Sequence, residues 1–275
     1  MKKALIIFVS YNSFDHSKNY LKSIIKLKNF KDTDVIVVEN SDSNNSSAQM
    51  KKFVTNLSLE NVKVIEMDTN LGYFPGIAFA LNSISEIHKY DFTIISNNDI
   101  IIKDKKILEK IFRKTLKCDV IAPSILTKDK IDQNPFLLNK YNIKNKIFHF
   151  IYFSSFSIAN LVTFVKKIID RILPNSNKKI KSDTYIYAAH GSFIVLCKSF
   201  FSKGGYVDNN FFLYAEESTL AEIAKKINAK ILYSPDIVVN HEARGSKIKK
   251  LSKKKFLIQK KSHNYFKKNY QNVND

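Results

Sequence analysis

Tryptophan is absent from this 275-residue chain, and cysteine nearly so. Cys118 and Cys197 are too few for a disulfide framework, which excludes the small stapled secreted class and points to a reducing compartment. A long apolar run near the start is also missing. Residues 4–9 (ALIIFV) are too short for the core of a signal peptide and no small-residue cleavage site follows, so they read as a first buried strand. Acidic residues are scarce beside basic ones, 25 against 45, giving a net charge of +20. Lysine supplies most of that charge and crowds the end of the chain, as in residues 247–255 (KIKKLSKKK). Such a field attracts polyanions: nucleic acid, an anionic membrane face or phosphorylated substrates. The same lysines also suit a plain solvated surface. Nucleic acid is the weakest of these partners. No helix-turn-helix, finger or RNP-like pattern is present, and lysine attracts phosphate without the bidentate base reading that arginine supplies. The rest is ordinary globular composition, 44% hydrophobic and 25% charged, with 13 Tyr and 21 Phe, which excludes wholesale disorder.

Apolar runs at residues 4–9, 34–38, 62–67 and 92–96 alternate with helical patterns at 20–27, 46–57 and 77–88. Strands separated by helices make βαβ units and a largely parallel sheet, hence an α/β fold. Residues 120–126, 190–196 and 231–241 read as further extended segments, and 216–228 as a helix. In open sheets of this kind ligands sit at the carboxyl ends of strands. Three polar tips fall there: residues 10–12 (SYN), 39–42 (ENSD) and 97–99 (NND). The last interrupts the run IISNNDIII, where an apolar strand turns polar only at its end.

Residues 135–183 interrupt this order. Within them, 147–165 (IFHFIYFSSFSIANLVTFV) carry no Lys, Arg, Asp or Glu and are flanked by lysines. Their serines, Asn160 and Thr163 dilute the hydrophobicity a membrane span needs. Two readings stand level: a helix packed on the protein's own core or a dimer partner, and a helix lying in the headgroup plane of a membrane.

The motifs VSYN (9–12), VVENS (37–41), NLGY (70–73) with Gly76, SNND (96–99), GSFIVL (191–196) with GGYVD (204–208), FFLYAEE (211–217) and YSPDIVVNH (233–241) occur in the order and spacing of family 2 glycosyltransferases. The chain resembles the rhamnosyltransferase-like branch most, over residues 3–246. The resemblance implies a single GT-A-like domain over 1–246, with the helical insertion and a basic tail at 247–275 outside the family pattern. It also implies an inverting, metal-dependent hexosyl or rhamnosyl transfer from a UDP- or dTDP-linked donor to a saccharide or lipid-linked saccharide. Such enzymes commonly build lipopolysaccharide or capsule on the cytoplasmic face of the membrane.

A nucleotide-sugar donor leaves a diphosphate whose charge grows as the glycosidic bond breaks, and a hard divalent cation with oxygen ligands stabilises it. Asp99 takes the metal position, for Mg2+ or Mn2+, with Asn97 beside it for a ribose or metal-bound water. Glu39 stands where the family carries Asp toward the base or ribose, and Ser10, Asn12 and Asp42 line the same nucleoside pocket. Asn70, Gly72 and Gly76 form the turn that lets backbone approach the donor, because glycine carries no side chain. Pro75 and Ile77 depart from the pattern there. Glu217 takes the position of the base that removes the acceptor proton, with Glu216 beside it. Thr219 and Ile223 depart from an acid and a basic residue that the family carries, so an inactive homologue is the alternative within the family. His241 matches the histidine that meets the metal or diphosphate. His190 reads as a turn residue and Asp236 as structural. A nucleotidyltransferase is disfavoured, since no Gly or Lys follows the first strand.

Overall fold

The computed structural model describes residues 3–41, 44–172, 180–242 and 251–271. The four early apolar runs form β1 (Ala4–Ser10), β2 (Thr33–Glu39), β3 (Val62–Glu66) and β4 (Phe92–Asn97). They lie parallel in the order β3-β2-β1-β4, connected through α1 (Phe14–Ile25), α2 (Asn44–Asn56) and α3 (Tyr73–Asn82). Their hydrophobicity is continuous because both faces of the sheet are covered. Ile6, Phe8, Val37 and Ile94 pack with Tyr20, Leu21 and Ile24 of α1. The intervening Leu5, Ile7, Val38 and Ile95 pack with Phe74 and Ile77 of α3, since successive strand side chains point to opposite faces. Each such buried side chain contributes about 1.5–3 kcal/mol.

The chain continues through β5 (Ile100–Ile101), α4 (Ile107–Lys114), β6 (Val120–Thr127), α5 (Ile143–Tyr152), α6 (Phe156–Ile172) and β7 (Thr184–Ile186). Then follow β8 (Phe193–Cys197), α7 (Lys198–Ser202), α8 (Glu216–Lys226), β9 (Ile231–His241) and α9 (Lys253–Phe266). The sheet runs on from β4 through β8, β6 and β9 to β5, with β7 also on β9. β8 is antiparallel to both neighbours, so its amino end lies beside the carboxyl end of β4. Ser96 pairs with Phe193, and the Asn97 N–H donates to Ser192 O at 2.9 Å. β6 and β9 are parallel with Thr127 opposite His241, and β5 folds back so that Ile100 also faces His241. The carboxyl ends of β1, β2, β4, β6 and β9 therefore meet the amino end of β8 along one edge.

The structure moves several expected boundaries. The helix expected over 77–88 begins at Tyr73 and ends at Asn82, followed by a separate 3-10 turn at Ile87–Lys89. Pro75 falls in its first turn, where a missing N–H costs no helical hydrogen bond. The strand expected from residue 190 begins at Phe193. Residues 147–165 are not one helix: α5 ends at Tyr152 and α6 begins at Phe156. A capping box between Asn142 and Asn145 starts α5. Among the described residues no helix is long and apolar enough to cross a membrane.

Part of the lysine-rich run, residues 247–250, lies outside the described residues. Beyond it α9 packs back onto the protein. Phe256 meets Tyr152, Phe153 and Phe156 of the insertion. On the other side the Ser262 hydroxyl donates to Leu213 O at 2.6 Å and the Tyr265 hydroxyl to Asp208 Oδ2 at 2.9 Å. The helix thus bridges the insertion and the loop that leads into Glu216 and Glu217.

Candidate active site

At the β1–β2 end, Ser10 is fully buried and its hydroxyl has no hydrogen-bond partner among the described residues. Asn12 adopts a left-handed backbone, φ 48°, which asparagine tolerates, and its N–H donates to Ser41 Oγ at 2.8 Å. Glu39 is buried and its carboxylate accepts from the hydroxyls of Ser41 and, at 3.2 Å, Ser46. One oxygen is turned to a serine of the following loop and the other to a serine in the first turn of α2. Asp42, expected in the same pocket, lies outside the described residues. Asn40 is the clamp here: its amide donates to Asn70 Oδ1 at 3.1 Å and Gly72 O at 2.8 Å, and its oxygen accepts from Leu71 N–H at 3.0 Å. Asn70 in turn accepts from Gly72 N–H at 3.0 Å, an Asx-type turn.

Gly72 has φ 93°, and a Cβ there would sit 2.1 Å from Phe212 O. What approaches this glycine in the structure is the chain's own backbone, in the loop before Glu216. Gly76 is less constrained, with the nearest atom to an added Cβ at 3.4 Å on Val9. Gly72→Ala is accordingly expected to destabilise the fold by about 2–4 kcal/mol through strain and the backbone clash. Urea denaturation reads this, and a loss below about 0.5 kcal/mol, the range of a neutral surface change, would contradict the packing.

Asp99 lies in the turn between β4 and β5. Asn97 stands half-buried at the end of β4, and the Asn98 amide donates to Ser13 Oγ at 2.6 Å and Ser17 Oγ at 2.8 Å, tying the turn to α1. Glu242 N–H donates to Asp99 O at 2.8 Å, which brings the end of β9 alongside. His241 Nε2 stands 3.0 Å from Asp99 Oδ1, and its Nδ1 2.6 Å from Gln133 Oε1. The Gln133 amide nitrogen faces His190 Nε2 at 3.3 Å, and His190 Nδ1 lies 2.9 Å from Ser192 Oγ. With Gln133 donating to His190 and accepting from His241 Nδ1–H, a neutral His241 directs the lone pair of Nε2 at a carboxylate oxygen. Two acceptors so placed need a cation or a proton between them. Burial would raise the Asp99 carboxyl, but with that proton in place the hydrogen bond and charge of His241, followed by a backbone hydrogen bond and the charge of His16, overcome it and hold it below its usual range.

Glu217, in the first turn of α8, accepts from Gly191 N–H at 3.1 Å, just before β8; the Tyr73 hydroxyl donates to Gly191 O at 2.8 Å. Tyr214, two residues before Glu216, takes φ 74°, a conformation an aromatic residue rarely adopts. Glu216 is buried beneath. Burial first, then the charge of Glu217, pushes its carboxyl up to about 8, against the pull of backbone amides at Tyr214, Ala215 and Glu216. It is therefore mostly protonated at neutral pH. A folded-state value above the ordinary 4.5 means that the stabilisation is complete below that pH and is lost as pH rises through about 8. Denaturation midpoints should fall across that window and fall less in Glu216→Gln; an equal slope in both proteins would remove Glu216 as its source.

The departures at 219 and 223 have structural reasons. Thr219 is fully buried and donates to Ala215 O at 2.9 Å, while Ile223 belongs to the core beneath α8. Neither faces the cavity. Asp236 accepts from the Ser234 hydroxyl at 2.6 Å and pairs with Lys114 at 3.3 Å, away from the site. His190, expected as a turn residue, has its ring centroid 6.4 Å from that of His241 and lies within reach of the charge of Glu217. Gln133 carried no signal in the sequence, and neither did His149 or His263. The last two line a cavity of about 260 Å³ that opens on Glu217.

No family profile matches the sequence. The chain is 25% identical over 228 residues to the low-salt glycan biosynthesis hexosyltransferase Agl10 of Haloferax volcanii, covering 82% of this chain and 62% of that protein. It thus spans about three fifths of the relative it matches. Among solved structures it is similar to GalNAc-T7 with UDP, GalNAc and Mn2+, at a TM-score of 0.64 and 12% identity over 96% of this chain and 48% of that one. It is also similar to the mannosyltransferase PcManGT of Pyrobaculum calidifontis in complex with GDP-Man and Mn2+ (0.56, 11%, covering 89% and 58%). A third is TarS of S. aureus (0.56, 17%, covering 88% and 37%). These likenesses show the fold: a single α/β domain with the GT-A architecture of glycosyltransferases.

Proposed function

We propose that the protein is an inverting glycosyltransferase that moves a sugar from a nucleotide-diphosphate donor to an acceptor hydroxyl. One observation carries this reading. The Asp99–His241 pair and the Glu217 carboxylate meet at a single sheet edge, linked through Gln133 and His190, beside a cavity.

The pair fits a divalent cation. Two neighbouring ligands at bonds of about 2.1 Å and a right angle lie about 3.0 Å apart, and Asp99 Oδ1 and His241 Nε2 are separated by 3.0 Å. Among the described residues no group of three or more His, Cys, Asp or Glu gathers to hold a metal. A site of two protein ligands completed by substrate phosphates and water is the usual mode for Mg2+. Mn2+ in the GalNAc-T7 and PcManGT complexes supports Mn2+ equally. Bound there, the cation supplies positive charge against the departing diphosphate.

The chain's own residues supply the rest. Gly191 N–H orients the Glu217 carboxylate, which takes the acceptor hydroxyl proton as the new bond to the anomeric carbon forms. The bond from that carbon to the diphosphate oxygen breaks, its electron pair leaving on the diphosphate. A single displacement inverts the carbon. Ser10, Asn12, Asn97 and the loop after Glu39 receive the nucleoside. The order of motifs supports UDP or dTDP as carrier and a hexose or rhamnose as the sugar; the role named for Agl10 supports a glycan as product.

Thermal shift of the purified protein with UDP, dTDP, GDP and their sugars, with and without Mn2+ or Mg2+, tests this. Metal-dependent stabilisation by one nucleotide is expected. No shift with any of them at millimolar concentration is the result expected of an inactive homologue and would overturn the reading.

A further inference from the structure

Gln133 lies between two imidazoles. Its Oε1 faces His241 Nδ1 at 2.6 Å, and its amide nitrogen faces His190 Nε2 at 3.3 Å. At the far end His190 Nδ1 stands 2.9 Å from the Ser192 hydroxyl and 3.2 Å from the Ser192 N–H. One chain of polar contacts thus runs from Asp99 through His241, Gln133 and His190 to Ser192. The backbone around it is fixed by other bonds. The Gln133 N–H donates to Ile125 O and the Asn97 N–H to Ser192 O, both at 2.9 Å, and the His190 N–H donates to Asn134 Oδ1 at 2.8 Å.

A neutral imidazole carries one N–H and one lone pair, and a carboxamide one donor end and one acceptor end. Fixing one end of such a chain therefore fixes all of it. Burial is the largest influence on His190 and pushes its imidazole down, so that ring is neutral at pH 7. Two directions are available. In the first, the Ser192 N–H donates to His190 Nδ1, His190 Nε2–H to the Gln133 oxygen, and the Gln133 amide to His241 Nδ1. His241 then carries its proton on Nε2, against Asp99, where a cation would have to displace it. In the second, His241 Nδ1–H donates to Gln133 Oε1, the amide to His190 Nε2, and His190 Nδ1–H to the Ser192 hydroxyl. His241 Nε2 is then a lone pair 3.0 Å from Asp99 Oδ1. The placement of Gln133 Oε1 against His241 is that of the second direction. The Ser192 hydroxyl permits it, since a hydroxyl can accept and a backbone N–H cannot.

We infer that Gln133, His190 and Ser192 are positioning residues for the cation. Ending in a hydroxyl that accepts, they hold His241 in the tautomer whose Nε2 lone pair is a ligand. The inference rests on the reading of Asp99 and His241 as a cation site. Partners that orient a ligating histidine in this way govern metal affinity by about 10–100-fold.

Mn2+ alone, titrated into the full chain and followed by electron paramagnetic resonance of the free ion, tests it. The part of the binding lost in Asp99→Ala counts as the site. Ser192→Ala leaves His190 Nδ1 facing only an N–H, which selects the first direction, so Mn2+ affinity should fall about ten-fold or more. Gln133→Glu presents an acceptor to both imidazoles. His241 then keeps its proton on Nδ1 whatever residue 192 carries, and Ser192→Ala should change affinity by less than about two-fold in that background, the scatter of uncoupled sites. The added charge of Gln133→Glu is common to both members of that pair and drops out of the comparison. Should Gln133→Glu not fold, Gln133→Leu takes its place: it cuts the chain of donors, so Ser192→Ala should again cost nothing further. A comparable loss in both backgrounds would overturn the proposal, because Ser192 would then act through packing. So would an unchanged affinity in Ser192→Ala alone. A wild type that binds no Mn2+ sensitive to Asp99→Ala would sink the cation reading itself and this proposal with it, a result distinct from the other two.

Discussion

Glu217→Gln is expected to lower turnover by about 10²–10⁴-fold, the range of a general base, with little change in nucleotide binding. Glutamine keeps an oxygen to accept from Gly191 N–H, so the carboxamide holds the same place, but it cannot take the acceptor proton. The neighbouring Glu216→Gln is the control. That carboxyl is pushed up to about 8 and is already mostly neutral at pH 7, so its amide is nearly isoelectronic with what it replaces. Activity within a few-fold of the wild type is expected there. Steady-state kinetics at saturating donor separates the two. Equal losses in both variants would mean that the pair acts as a unit rather than as a base over a buried proton. A full loss in Glu216→Gln alone would reverse the assignment.

The parts of this molecule that the sequence made legible are those where local pattern and tertiary role coincide. β1, β2 and β4 are buried on both faces, so each reads as an unbroken apolar run, and the first polar residue marks the sheet edge. Asp99 stood out for that reason; Glu217 and His241 were singled out by the resemblance of their motifs to the family's. What stayed hidden depends on pairing across long stretches of chain. The reversal of β8 puts His190 beside His241 and Gly191 against Glu217, and no residue in 190–197 announces its direction. Gln133 acts only because β6 and β9 align His241 with it. Nothing near Gly72 in the sequence signals that its missing side chain makes room for Phe212, far along the chain. α9 read as a basic tail because its lysines outnumber the few residues it buries, Phe256, Ser262 and Phe266. The insertion read as one segment because its break at residues 153–155 carries neither Gly nor Pro.

Asp99→Ala is expected to abolish the metal-dependent part of nucleotide stabilisation and to reduce turnover by about 10²–10³-fold or more, the scale of losing one electrostatic stabiliser of a leaving group. At a nucleotide concentration a hundred times its dissociation constant, binding to the native state contributes about 2.7 kcal/mol, or about 5–10 °C in Tm for a chain of this size. Asp99→Ala should bring that shift down to its value without metal. The substitution also removes the carboxylate that faces His241 Nε2 at 3.0 Å, so the unliganded Tm of the variant must be recorded and the shift taken from it. His241→Ala should cost part of the same metal-dependent shift, and the double variant no more than Asp99→Ala alone, because residues that hold one ion are not additive. Additive losses would place the two side chains on different ligands. A shift that survives intact in Asp99→Ala would remove the cation from this turn and leave the pair at the tip of β4 as an ion pair of the fold.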